Sequence, residues 1–226
     1  MTIFLLLLTL AAVAPPPPCK PEFAPLHTGT SSSETDLNHW RKEEAGSWAG
    51  KNWLGWTYQS TTLVPVELIV RPLADKDDVY EEDRVTVARY PSTVSFAVRC
   101  MPTVRAGRME SAQVTNHELQ YSGPLEIALG KKRYTVRLER LREDLTDARV
   151  VLSDGMVREV LYSTAGFVDD PHFLVEWAGD LDRDGRLDLV VNLSRKYSVH
   201  PHRLLLSTKA KKSELVGEAA VFETGD

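Results

Sequence analysis

From Thr62 to Phe222 the apolar residues of this chain recur at every second position, in short runs broken by turn-forming residues. A period of two is the spacing of a strand with one buried face, whereas a helix repeats its apolar face every 3.6 residues. Thr62 to Val70 places Val66, Leu68 and Val70 in such a pattern, with Leu63 ahead of Pro65, and Lys132 to Leu141 sets Tyr134, Val136 and Leu138 against Arg133, Thr135, Arg137 and Glu139. Further runs are Arg84 to Tyr90, Thr93 to Met101, Pro124 to Leu129, Arg149 to Ser153, Met156 to Tyr162, His172 to Trp177, Leu187 to Leu193, Arg203 to Ser207 and Ala219 to Phe222. Gly130-Lys131 and Asp154-Gly155 fall between consecutive runs, where tight hairpin turns need residues tolerant of positive φ. About a dozen short strands and no sustained helical pattern predict a mainly β protein, an antiparallel sandwich or partly closed barrel. Pro65 cannot donate to a ladder and pushes its strand toward an edge or a bulge.

The N-terminus divides differently. Residues 1–14 form an apolar run ending in Ala-Val-Ala, the pattern of a secretory signal peptide and too short to span a bilayer. Residues 15–50 are rich in Pro, Ser and Thr and read as a flexible linker, with a short helix expected from Ser33-Glu34-Thr35-Asp36 into Leu37, Trp40 and Glu43. Residues 51–226 are then the β-rich domain, with a candidate subdivision near residues 105–115. Trp48, Trp53, Trp56 and Tyr58 mark its entry and read either as core or as a stacking platform for sugar rings. Export places the protein in the periplasm or outside the cell. There the two cysteines, Cys19 and Cys100, allow one disulfide, the other reading being two free thiols. The net charge of −5 argues against a nucleic-acid partner.

One segment carries chemistry. Gly179-Asp180-Leu181-Asp182-Arg183-Asp184-Gly185-Arg186-Leu187-Asp188 sets Asp at positions 1, 3, 5 and 9 of a loop, with Gly at position 6, ahead of the apolar run Leu189-Val190-Val191. A hard cation such as Ca2+ takes 6–8 oxygen ligands and a sharp turn that folds the acids inward. Carboxylates at alternate positions of a tight loop can meet at one centre, and Gly185 permits the reversal. An EF-hand would need a bidentate Glu at position 12. That position is Val191, and a strand follows where the EF-hand has a helix.

With Asp180 to Asp188, Gly179 and Leu189-Val190-Val191, the segment resembles the calcium loop of FG-GAP (VCBS-type) repeats. The resemblance covers Phe173 to Leu193 and occurs once, since Asp75-Lys76-Asp77-Asp78 lacks the glycine and the later acid. It implies a β-hairpin calcium site with Asp180, Asp182, Asp184, the Arg186 carbonyl and Asp188 as ligands. A propeller needs several blades, so that architecture is not implied.

Catalytic patterns are sparse. His117-Glu118 lacks the second His of a zinc-protease helix, and no nucleophile elbow, phosphate loop or dinucleotide fingerprint is present. Asp169-Asp170 with His172 and Glu176 offers carboxylates beside the loop without a defining spacing. His200-Pro201-His202 has no Cys or third His at a recognised spacing. The expectation is an exported, calcium-stabilised β protein with a binding or structural role, and no membrane span once the signal is removed. Its protein or glycan partner is unspecified. The alternative is a secreted or periplasmic hydrolase acting on carbohydrate or peptide, with a structural calcium.

Overall fold

The computed structural model describes residues 19–26, 39–41, 46–72, 82–87, 94–119, 123–140, 148–164, 172–194, 196 and 199–225. The signal-like run and most of the Pro/Ser-rich stretch lie outside these. Strands β1 (Glu22–Pro25), β2 (His39–Arg41), β3 (Gly50–Trp56), β4 (Thr62–Pro72), β5 (Glu82–Val87) and β6 (Phe96–Arg99) form an N-terminal sheet in the order β1-β6-β3-β4-β5-β2. β7 (Gly107–Arg108) pairs with the start of β4. Two more two-residue strands follow, β8 (Glu110–Ser111) and β9 (Gln113–Val114). β10 (Leu125–Leu129), β11 (Lys132–Arg140), β12 (Ala148–Ser153) and β13 (Arg158–Thr164) build a hairpin sheet, with β9 on the far side of β10. β14 (His172–Asp180), β15 (Asp188–Ser194), β16 (Val199–Leu206) and β17 (Gly217–Gly225) form a central sheet closed at one edge by β8.

Every described pairing is antiparallel, and the sheets stack as a β sandwich with no closed barrel. The central sheet lies between the other two. Leu189, Val191 and Leu193 of β15 pack with Ile127, Val136 and Leu152 of the hairpin sheet. Val190, on the opposite face, packs with Trp56, Phe96 and Val98 of the N-terminal sheet. β15 is accordingly buried along its whole length, as the unbroken run Leu189-Val190-Val191 requires. Each such Leu or Val taken fully from water contributes about 1.5–3 kcal/mol, so this strand carries much of the fold's hydrophobic stabilisation.

The alternation expected on β11 is observed: Tyr134, Val136 and Leu138 are buried, while Arg133 and Arg137 are exposed. Gly130-Lys131 and Asp154-Gly155 sit in the two turns of the hairpin sheet, with Gly130 and Gly155 at φ of 55° and 91°. Pro65 lies within β4 opposite Leu54 of β3, and the described pairing with β5 starts only at Leu68. Its missing N–H is therefore on a stretch bonded from one side.

The N-terminal stretch differs from expectation. Trp40 lies in strand β2, paired with Asp83 of β5, not in a helix; the residues from Ser33 to Asn38 are outside the described ones. β1 and β2 come from the stretch expected to be linker, and β1 is secured by a disulfide between Cys19 and Cys100, whose Cα atoms are 5.5 Å apart. Glu22, opposite Arg99 in the ladder, accepts a 2.7 Å hydrogen bond from Arg99 Nε, and the Arg99 guanidinium lies 4.6 Å over the Trp53 ring. Trp48, Trp53 and Trp56 are buried at 3 %, 0 % and 1 % exposure, so these rings are core and present no sugar-stacking face. The segment at 105–115 runs past all three sheets: β7 bonds the N-terminal sheet, β8 the central sheet and β9 the hairpin sheet.

Candidate metal centre

The acidic segment forms the connection between β14 and β15. The last ladder pair, Gly179 with Asp188, places Asp180 and Asp188 at the two feet of the loop. Gly179 is squeezed there: a Cβ at this position would lie 2.4 Å from the Glu110 carbonyl oxygen and 2.5 Å from the Trp177 ring. At the tip, Gly185 has φ of 75° and Arg183 reaches 66°, a conformation most side chains resist.

Hydrogen bonds explain how a loop this acidic stays ordered. Asp180 accepts from the Asp184 N–H at 3.0 Å through Oδ1 and from the Gly185 N–H at 2.9 Å through Oδ2. Asp188, fully buried, accepts from Leu181 N–H at 2.7 Å and Asp182 N–H at 3.3 Å, and its other oxygen accepts from Ser207 N–H at 2.8 Å. The 3₁₀ turn Ser207–Lys209 after β16 thus backs the loop, and the Thr208 hydroxyl donates to Asp182 Oδ2 at 2.5 Å. Asp182 Oδ1 is buried and accepts no hydrogen bond.

Asp180, Asp182 and Asp188 converge, each offering a carboxylate oxygen within 4.8 Å of the others. Asp184 is not part of this group. Its Oδ1 accepts from Arg186 N–H at 2.9 Å, and its Oδ2 from Arg186 Nε at 2.8 Å and the Ser207 hydroxyl at 2.7 Å. Arg186, expected to lend its carbonyl, lies on the exposed side with its guanidinium on Asp184. Lys132 of β11 donates to the Gly185 carbonyl at 2.6 Å, and Arg183 to the Arg105 carbonyl at 2.7 Å.

The electrostatics fit a cation-seeking centre. Burial, opposed by the Ser207 N–H and reinforced by the charge of Asp182, pushes the Asp188 carboxyl up to about 7. Asp182 is also raised, by burial first, against the Thr208 hydroxyl and with help from Asp184 and Asp180. For Asp184, burial pulls upward, but the Ser207 hydroxyl and Arg186 outweigh it and leave the carboxyl below its ordinary value. Two ionised carboxylates under 5 Å apart repel by about 3 kcal/mol at an effective dielectric near 20. The cluster can hold a metal ion, which relieves that repulsion and supplies the partner Asp182 Oδ1 lacks.

Of the other candidates, His117 Nδ1 lies 2.7 Å from the Val175 carbonyl and Glu118 bridges Leu174, so both serve the edge of the central sheet. Asp169 and Asp170 lie outside the described residues, as does the side chain of His172. Glu176 is buried against His202, with its Oε2 2.8 Å from Nδ1. The sequence reading missed Ser207 and Thr208, whose only signal was a hydroxyl pair directly after the apolar run Leu204-Leu205-Leu206. Comparison with protein-family models, curated proteins and solved structures returned no match. Among the described residues, no helix is long and apolar enough to cross a membrane.

Proposed function

We propose that the chain is an exported calcium-binding protein of the periplasm or extracellular space, in which one FG-GAP/VCBS-like loop acts as a structural cation clamp. The observation that carries this reading is the convergence of Asp180, Asp182 and Asp188 at the base of the β14–β15 loop, with Asp180 and Asp188 buried, Asp182 half-buried and the loop tip exposed. An all-oxygen donor set favours a hard cation, and oxygens across one calcium stand about 4.6–5.2 Å apart at 2.3–2.6 Å per bond. Millimolar extracellular calcium fills sites as weak as about 10⁻⁴–10⁻³ M. The apolar N-terminal run and the Cys19–Cys100 disulfide support an oxidising location. The role is binding or structural, its ligand a protein or glycan. A hydrolase would want an aromatic-lined cleft, and burial of Trp53 and Trp56 removes the rings that favoured one.

The test is calorimetric titration of chelator-stripped protein with Ca2+. One equivalent is expected, lost in Asp182→Asn, a change that keeps the shape and removes the charge. No heat from the wild type would refute the reading. For export, N-terminal sequencing of secreted material should begin between Pro15 and Lys20, and an intact Met1 would refute cleavage.

A further inference from the structure

Four connections meet at the end of the sandwich that carries the acidic loop. They are the β10–β11 turn, the β12–β13 turn, the loop itself and the β16–β17 connection. Together they surround a cleft of about 310 Å³, to which they contribute Lys132, Met156, Arg186 and Leu215 in turn. Lys132 Nζ donates to the Gly185 carbonyl at 2.6 Å, and Glu159 of β13 accepts from Leu215 N–H at 2.6 Å, so neighbouring tips are tied together.

Cations and acids are disposed differently at this end. Lys131, Lys132, Arg183, Lys211 and Lys212 are exposed, and none has a carboxylate partner among the described residues. Lys132 and Arg183 rest on backbone carbonyls, which leaves their charge uncancelled. The carboxylates are engaged by the protein itself. Asp154 accepts from Met156 N–H at 2.9 Å and Val157 N–H at 2.7 Å, Glu214 accepts from Lys211 N–H at 2.8 Å, and Asp184 pairs with Arg186. The end is therefore basic on a chain whose net charge is −5. At physiological ionic strength charges are screened beyond about 8 Å, so a surface touching this end responds to its cations and not to the acidic body behind them.

Met156, 91 % exposed, stands at the β12–β13 turn among these cations. Phosphate headgroups attract Lys and Arg, and the acyl boundary beneath them accepts an apolar side chain. The five cations are spread over three connections, which matches a plane of phosphates better than one small anion. A soluble polyanion would satisfy the cations but leave Met156 in water.

We propose that this end of the sandwich docks on an anionic lipid surface, with the five cations on headgroups and Met156 entering the acyl boundary. The docking goes beyond the cation clamp and stands on the tips of the connections, not on the metal.

The test is co-sedimentation of the full chain, in calcium, with two kinds of vesicle: equal parts phosphatidylglycerol and phosphatidylcholine, and phosphatidylcholine alone. The ratio of the two affinities cancels what the apolar N-terminal run contributes. A ratio well above one is expected, falling as salt rises. Each Lys or Arg at an anionic surface strengthens binding about fivefold, so Lys131→Gln, Lys211→Gln and Lys212→Gln together should lower the ratio on the order of 100-fold. Lys51→Gln, Arg71→Gln and Lys196→Gln, the same loss of charge at the ends of β3, β4 and β15 away from the loop, should leave it unchanged. Met156→Ser should weaken binding to the anionic vesicles about tenfold, the low end of what burying a Met side chain contributes. The proposal is overturned if the ratio is one, if the two triple variants behave alike, or if Met156→Ser binds as the wild type does. It is equally overturned if heparin binds and the anionic vesicles do not, which would make the partner a soluble polyanion.

Discussion

Raising the pH in the presence of a chelator should destabilise this protein, and calcium should cancel the effect. Asp188 is fully buried and its carboxyl is pushed up to about 7. An acid whose folded value lies above its unfolded one stabilises the fold fully below the unfolded value, near 3.9, and loses that contribution as pH rises through about 7. At 1.36 kcal/mol per unit, the whole shift amounts to about 4 kcal/mol, of which about 2–3 kcal/mol falls between pH 5 and pH 8. For a chain of this size that corresponds to a drop in melting temperature of about 5–10 °C. A calcium ion on Asp180, Asp182 and Asp188 favours the ionised form, and at a hundred times its dissociation constant adds about 2.7 kcal/mol. Melting curves at pH 5 and pH 8, each with chelator and with calcium, give the four numbers needed. The expected result is a fall with pH under chelator that disappears with calcium, and a shallower fall in Asp188→Asn, which has no charge to lose. A chelated melting temperature that is flat or rises from pH 5 to pH 8, with Asp188→Asn following the same course, would refute the reasoning.

Four further perturbations probe the frame. Gly179→Ala drives a methyl to within 2.4 Å of the Glu110 carbonyl and 2.5 Å of the Trp177 ring, and should cost about 1–3 kcal/mol in urea unfolding; an unchanged midpoint would show that β8 can give way. Opening the Cys19–Cys100 loop, by reduction or by Cys19→Ser with Cys100→Ser, should lower stability by about 4 kcal/mol in the chain-entropy account, read as a shift of the same midpoint. Leu189→Ala, at a site with no exposure, should cost about 2–5 kcal/mol. Val160→Ala, on a residue 45 % exposed, should stay within about 0.5 kcal/mol, and equal costs would contradict the layered core.

What the sequence made legible is what depends on neighbours along the chain. The hairpin sheet could be read from Tyr134, Val136 and Leu138 because period-two burial is local, and its turns because Gly130 and Gly155 supply the required φ. The acidic loop could be read for the same reason, its donors lying within nine residues. The orientation of Asp184 could not. Alternation groups it with Asp180 and Asp182, but left-handed backbone at Arg183 and Gly185 breaks the alternation and sends its carboxylate to Ser207. β1 and β2 were equally hidden, since strands of four and three residues form only because β6 and β5 offer them an edge. The Glu176–His202 contact depends on a bulge and on register across three strands, which no spacing in the chain encodes.

These placements explain why a cation at one hairpin should govern the stability of the whole body. The loop is tied to every layer: β8 bonds its first foot at Asp180, Lys132 of the hairpin sheet donates to Gly185, and Arg183 reaches the Arg105 carbonyl in the segment leading to β7. Ser207 and Thr208 anchor it to the end of β16. Its second foot opens directly into β15, the strand shared by the two cores on either side of the central sheet. Repulsion among the three carboxylates, once Asp188 ionises above about pH 7, therefore acts at the point where the layers meet, and loosening the loop withdraws support from both cores at once. A clamp at a sheet edge would merely limit fraying. A cation bound at this position would bear on global unfolding, because β15 cannot leave one core without leaving the other.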